Sequence, residues 1–159
     1  MSKILISGYY GFANAGDEAM LTAIIESLRQ VEKNVELTVL SGNPEDTAAK
    51  HQVCSVYRFN PLGIIRAMKD SELIISGGGS LLQDVTSKRS LLYYLSIIGL
   101  GKFFGKKVML FAQGIGPIRA KWARKLTSLV CNEADLITVR DSESAAELIE
   151  MGVKPEKIT

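Results

Sequence analysis

Lys3-Ile4-Leu5-Ile6-Ser7-Gly8-Tyr9-Tyr10-Gly11-Phe12-Ala13-Asn14-Ala15-Gly16-Asp17-Glu18 is the stretch whose reading decides the fold. A short apolar run with no polar alternation is the pattern of a strand buried on both faces, and Gly8 ends it. From Gly16 the period changes. Met20, Leu21, Ile24, Ile25, Leu28 and Val31 recur at three- and four-residue steps, the stripe of an amphipathic helix. Asp17 and Glu18 stand in its first turn, where carboxylates suit the helix dipole. Strand, glycine-rich loop and helix in that order predict a β/α unit.

The rest of the chain repeats the unit. Strands are expected at Val35–Leu40, Val53–Tyr57, Glu72–Ser76, Lys107–Ala112 and Leu136–Val139. Helices are expected from Pro44, over Pro61–Lys69, Lys88–Phe104, Arg119–Glu133 and Ser142–Met151, with Gly152 closing the last. Trp122, Leu126, Leu129 and Val130 are expected on the inner face of their helix. Strands alternating with helices imply an α/β, doubly wound parallel sheet of about six strands with right-handed crossovers; if its order is the common 3-2-1-4-5-6, the first and fourth strands are neighbours. Val153–Thr159 reads as the approach to a further strand, and the 159 residues as the front of a longer protein.

Composition narrows the function classes. Hydrophobic residues make up 47% and charged residues 23%, a soluble globular balance. A net charge of +2 argues against a dedicated nucleic-acid binder. The two cysteines, Cys54 and Cys131, lie in apolar stretches and are expected to be buried thiols of a reducing compartment. Leu91–Phe104 falls short of the roughly 20 apolar residues that span a bilayer. It reads as a buried helix, with a membrane-surface helix as the other reading.

In open α/β sheets ligands bind beyond the carboxyl ends of the strands, and the unusual residues cluster there. Besides Gly8–Glu18 these are Gly77-Gly78-Gly79-Ser80-Leu81-Leu82-Gln83-Asp84, Gln113-Gly114-Ile115-Gly116-Pro117 and Arg140-Asp141. Gly11 to Gly16 has the outer spacing of a phosphate-binding P-loop, but Asp17-Glu18 stands where Lys-Ser/Thr should be. The dinucleotide fingerprint fails too, since Gly8 and Gly11 are three apart and Ser41-Gly42-Asn43 offers no carboxylate for a ribose. The loop glycines let backbone N–H groups approach a ligand, or serve only as tight turns. Asn14 and Asp17 are substrate contacts or helix caps. Gln113 reaches a ligand or loop backbone, and Arg140 holds an anion or pairs with Asp141 or Glu143. Arg119, Lys121, Arg124 and Lys125 read as a solvated helix face. His51 lies in a polar stretch and is assigned no role, and no His/Cys metal spacing occurs.

Four motifs in strand context carry a resemblance. G-Y-Y-G-F-A-N-A-G-D-E-A, S-G-G-G-S-L-L-Q-D, F-A-Q-G-I-G-P and V-R-D-x-x-S, from about Ile4 to Met151, resemble the polysaccharide pyruvyl transferase family. The likeness is strongest to members that modify the secondary cell-wall polymer to which S-layer proteins attach. The resemblance implies one Rossmann-like half (residues 1–159) of a two-domain architecture like that of B-type glycosyltransferases. The C-terminal domain, with a histidine acid, is then expected outside this chain. It implies pyruvate transfer from phosphoenolpyruvate to a lipid-linked cell-wall glycan, forming a ketal, in the cytoplasm and in contact with the inner face of the membrane. Phosphoenolpyruvate is then the donor substrate, with no cofactor and no metal. Arg140 would hold the carboxylate or phosphate, and Asp17 or Asp84 would accept a hydroxyl proton. Gly11, Asn14, Gly77, Gly78, Gly79, Ser80, Gln83, Gln113 and Gly114 would bind substrate. Two other readings stay open: the acceptor-binding half of a nucleotide-sugar glycosyltransferase, and a non-catalytic saccharide-binding module.

Overall fold

A computed structural model describes residues 2–85 and 87–159. The strands are β1 (Lys3–Ser7), β2 (Glu36–Ser41), β3 (Cys54–Tyr57), β4 (Leu73–Ser76), β5 (Gly79–Leu82), β6 (Lys107–Ile115) and β7 (Leu136–Val139). The helices are α1 (Ala15–Val31), α2 (Pro44–His51), α3 (Pro61–Asp70), α4 (Lys88–Phe103), α5 (Lys121–Glu133) and α6 (Ser142–Met151). All pairings are parallel, in the path β3-β2-β1-β4-β6, with β5 and β7 both on β6. With β5 set aside, this is the expected 3-2-1-4-5-6 order. The doubly wound α/β fold follows from strands buried on both faces. Ile4, Ile6, Leu37, Val39 and Ile75 pack on Leu21, Ile24 and Ile25 of α1. Leu5, Leu40, Ile74, Val108 and Leu110 join a larger cluster with side chains of α3 to α6.

The extra strand is a continuation. Ser76 pairs with Leu110 and Gly79 with Gln113, so β5 resumes along the same side of β6 after the Gly77-Gly78 break. Glycines hid it from the sequence reading. β6 also runs on to Ile115, three residues past the expected end, with a register shift between Leu110 and Gln113 on its β7 side. Ala112, at φ 49°, sits inside that irregularity in the left-handed region. There its N–H donates to Thr138 Oγ1 at 2.7 Å.

Three further expectations are corrected. Trp122 and Leu129 are 48% and 58% exposed, and the buried face of α5 is Ala123, Thr127, Ser128 and Cys131. The small side chains take the inner face of α5, and the bulky Trp122 and Leu129 turn outward. Arg124 is not simply solvated, since its Nη1 meets Glu147 Oε1 at 2.7 Å. Cys54 is exposed because β3 is an edge strand, whereas burial pushes the Cys131 thiol up to about 12. At the end of the chain Ile158 bridges Ile137 in parallel, so the segment read as approaching a strand lies beside β7. No helix among the described residues is long and apolar enough to cross a membrane.

Asp135 ties three elements together ahead of β7. Its Oδ2 accepts from Val108 N and from Lys102 Nζ, both at 2.8 Å. Burial pushes its carboxyl up, but the Lys102 ammonium and the Val108 N–H outweigh that and hold it below the usual carboxylate range. Asp135→Ala should destabilise the fold by about 1–3 kcal/mol at pH 7, because it leaves a partly buried N–H without its acceptor. A lowered carboxyl stabilises above its unfolded value and loses that contribution as pH falls through the folded value. Denaturation from pH 7 down to about pH 3 should therefore show the gap between wild type and variant closing. A gap that is absent at pH 7, or that widens in acid, would contradict this role.

Candidate active site

Because every pairing is parallel, the four motif loops emerge at one edge of the sheet. There a cleft of about 360 Å³ is lined by Tyr9 and Asp17 from the first loop and helix, Ser80 and Leu81 of β5, Gln83, and Ser90 and Tyr94 of α4. Of the residues singled out from the sequence, Asp17, Ser80 and Gln83 share this cleft. Arg140 joins it through Nη1, which donates to Ser80 Oγ at 3.2 Å, while Nε reaches Asp141 Oδ2 at 3.4 Å. The Arg140 side chain is half exposed, so an incoming anion can reach it. A somewhat larger cavity of about 410 Å³ lies near the amino ends of the strands, lined by Leu28, Glu32 and Leu73 among others. None of the four motifs reaches it.

The loop glycines have a specific use here. A Cβ on Gly77 would strike the Tyr10 hydroxyl, one on Gly78 would stand 3.0 Å from the Met20 side chain, and one on Gly114 would stand 2.6 Å from Arg140 Cζ. The space above these three glycines is filled by the chain's own side chains. Gly11 has φ +85°, and a Cβ there would meet Ser41 Oγ and the amide nitrogens of Gly42 and Asn43. Its N–H donates to Glu18 Oε1 at 2.9 Å. Gly79, at φ +104°, turns the chain out of the break, and a Cβ there would stand 3.1 Å from Asp17 Oδ1.

Other candidates are engaged in positioning. Asn14 caps α1, its Oδ1 accepting from Asp17 N at 3.1 Å. Gln113 is fully buried, and its Nε2 donates to Ser76 O at 2.9 Å and Gly77 O at 2.6 Å. Asp84 accepts from Arg119 N through both oxygens and from Ala120 N, each at 3.0 Å. The Ala120 and Arg119 N–H groups hold its carboxyl low, and it lies outside the cleft as the clasp of the loop before α5. Asp17 differs. Burial, and then the Glu18 charge beside it, raise its carboxyl above the ordinary range. Of the two carboxylates, the one with the greater proton affinity is the one in the cleft.

Several contributors had no sequence signal of their own. His51, assigned no role, brings Nε2 to 3.2 Å from Glu18 Oε2, and Glu18 holds the Gly11 N–H, so His51 buttresses the first loop. Tyr10 is buried beneath the glycines, and burial drives its phenol far up, with Asp17 adding to the effect. Tyr9 stacks on Phe12 with ring centroids 4.3 Å apart. Among the described residues no group of three or more His, Cys, Asp or Glu side chains is placed to hold a metal ion.

Known proteins place this architecture. The HepE protein of Anabaena, solved in complex with UDP and glucose, superposes with a TM-score of 0.65 at 12% identity, over 100% of this chain and 43% of its own. The lipopolysaccharide outer core galactosyltransferase WaaB, in its apo form, gives 0.59 at 16% identity, over 99% of this chain and 44% of its own. A UDP-N-acetylglucosamine 2-epimerase gives 0.62 at 11% identity, over 99% and 47%. These likenesses show a shared Rossmann-like fold of the kind found in B-type glycosyltransferases, and the chain spans less than half the length of each. No curated protein matches it in sequence. The family pattern described as polysaccharide pyruvyl transferase matches residues 14–159, taking in Asp17, the Gly77–Asp84 segment, Gln113 and Arg140. The chain belongs to the polysaccharide pyruvyl transferase family.

Proposed function

We propose that this chain supplies one wall of the active site of an enzyme that transfers pyruvate from phosphoenolpyruvate to a sugar of a lipid-linked cell-wall glycan. The observation that carries the reading is the meeting of Asp17, Ser80 and Gln83 in one cleft, with Arg140 hydrogen-bonded to Ser80. The chemistry needs such a set. A sugar hydroxyl adds to C2 of phosphoenolpyruvate while C3 takes a proton. A second hydroxyl of the same sugar then attacks C2, and phosphate leaves with the C–O electron pair, giving the cyclic ketal. Arg140 would grip the carboxylate or phosphate in a two-point fork, exchanging its bonds to Ser80 and Asp141 for the substrate. Ser80 and Gln83 would orient the diol, and Asp17 would accept a hydroxyl proton. The acid that protonates C3 is assigned to a further domain of the enzyme, as are the remaining substrate contacts. The S-layer-anchoring polymer is the acceptor class the resemblance favours, and the cytoplasmic face of the membrane is where such an acceptor would be met.

Two measurements on the enzyme carrying this domain test the roles. Arg140→Ala should cut phosphate release from phosphoenolpyruvate roughly 30-fold or more, since losing an anion clamp costs about 2–5 kcal/mol. Arg140→Lys should recover only part, because an ammonium keeps the charge and loses the fork. Thermal midpoints should stay close to wild type, as the side chain is half exposed. Alanine turnover within threefold of wild type would leave Arg140 as a surface partner of Asp141. UDP release from a UDP-sugar, with none of phosphate from phosphoenolpyruvate, would favour the nucleotide-sugar glycosyltransferase instead.

For Asp17, a base works only when ionised, so kcat/KM should fall as pH drops through its raised pKa. The acidic limb should thus lie above the ordinary aspartate value of about 3.9. Asp17→Asn should lose most activity and with it that limb. An unchanged limb in the asparagine variant would remove Asp17 from the proton-accepting role.

A further inference from the structure

Arg58, the residue after β3, carries a buried charge without a counter-ion. It is 5% exposed. Its Cζ lies 4.5 Å from the ring centre of Tyr93, 4.9 Å from Phe59, 5.2 Å from Phe12, 5.7 Å from Tyr94 and 5.8 Å from Tyr9. Its Nη2 has one long contact, 3.5 Å to Tyr94 Oη, and its Nε has no hydrogen-bond partner. The ion pairs among the described residues include none to Arg58. Ring faces attract a guanidinium but replace only part of its lost hydration. Arg58 therefore has donor capacity to offer an anion.

The surroundings say what kind of anion. Arg58 heads a groove of about 250 Å³ between α3 and α4, walled by Phe59, Ile64, Tyr93, Ile97 and Leu100. The walls are apolar. On its other side the aromatic box shares Tyr9 and Tyr94 with the candidate cleft. Helix α4 therefore runs from the cleft, at Ser90, past the box to the groove at Leu100, about 15 Å along its axis. The rings covering the guanidinium from outside lie at the surface: Tyr9, Phe12 and Phe59 are 41%, 42% and 60% exposed. None of the three belongs to the two core clusters, so their rotation would open Arg58 without disturbing the core.

We propose that this groove binds the hydrocarbon chain of a lipid phosphate and that Arg58 binds its phosphate, leaving the polar remainder directed to the cleft. The last clause rests on the proposed pyruvyl transfer to a lipid-linked sugar; the phosphate and hydrocarbon contacts rest on Arg58 and the groove alone. The site uses both halves of such a ligand. A hydrocarbon without charge would leave Arg58 unpaired, and a free phosphate would leave the apolar walls wet.

Calorimetric titration of the 159-residue chain with decyl phosphate, decanol and inorganic phosphate tests this directly. Decyl phosphate, below its micelle concentration, should bind at least tenfold more tightly than either decanol or phosphate. Arg58→Met should weaken it at least tenfold while melting at or above wild type, because it replaces an unpaired buried charge by an apolar side chain of similar reach. Ser96 is an exposed groove residue, so Ser96→Trp should fill the groove and weaken binding to the same degree, with Arg58 intact. Binding of decyl phosphate within threefold of wild type by Ser96→Trp, or by a folded Arg58→Met, would overturn the proposal. So would equal affinity for inorganic phosphate. The probe contains neither sugar nor pyruvate, so these outcomes are independent of pyruvyl transfer. Turnover without decyl phosphate binding sinks this site alone, and binding without turnover sinks only the proposed reaction.

Discussion

The carboxyl edge of the sheet hangs on one side-chain amide. Gln113 reaches across from β6 and donates to Ser76 O and Gly77 O, the two carbonyls at which the β4 strand breaks off. Buried carbonyls without partners cost about 1–3 kcal/mol each, so a break in a central strand needs such a substitute. The break lets β5 resume under the cleft, which sets Ser80 within reach of Arg140 and Gln83 at the cleft wall. The left-handed turn at Ala112 precedes the amide and coincides with the register shift that lets Gln113 face inward. A non-glycine residue in that region costs about 1–2 kcal/mol. The strain is local to the edge that carries the motifs, where such distortions tend to collect.

Around that amide the site is assembled from nested side chains. Tyr10 fills the hollow at Gly77, Met20 the one at Gly78, and Arg140 lies on Gly114. Glu18 links Gly11 to His51, and Asp84 clasps the loop leading into α5. Glycine-rich loops in this fold thus serve two ends: they shape the edge, and they seat the groups that face the cleft. That arrangement sets Asp17, Ser80, Gln83 and Arg140 at the cleft beside Ser90, Tyr9 and Tyr94, and it places Arg58 behind the aromatic rings of the same cleft.

Periodicity alone carried the fold. The switch from the Lys3–Ser7 run to the stripe beginning at Met20 repeats down the chain, and the parallel sheet follows; the strand order is the common one of such sheets. What stayed hidden has physical reasons. β5 begins with a glycine and has no alternation, so it reads as loop. The inner face of α5 is made of Ala123, Thr127 and Cys131, whose small volumes are a weaker signal than Trp122 and Leu129. The loops were recognisable as a site, yet the division of labour between Asp17 and Asp84 was not. Both are aspartates of glycine-rich motifs, and the backbone N–H groups of Arg119 and Ala120, which bind Asp84 alone, separate them. Arg58 and His51 gave no sign, because each acquires its neighbours from elements far along the chain.

The proposed reaction requires the carboxyl-edge cleft to receive phosphoenolpyruvate, with Arg140 at the anion. Amide chemical-shift mapping of the isotope-labelled chain during titration with phosphoenolpyruvate reads this residue by residue. Saturable shifts are expected at Gly78–Gln83, Gly114 and Arg140, and they should be lost in Arg140→Ala. Shifts confined to the cavity near Leu28, Glu32 and Leu73, or shifts at the cleft that persist unchanged without the Arg140 guanidinium, would contradict it.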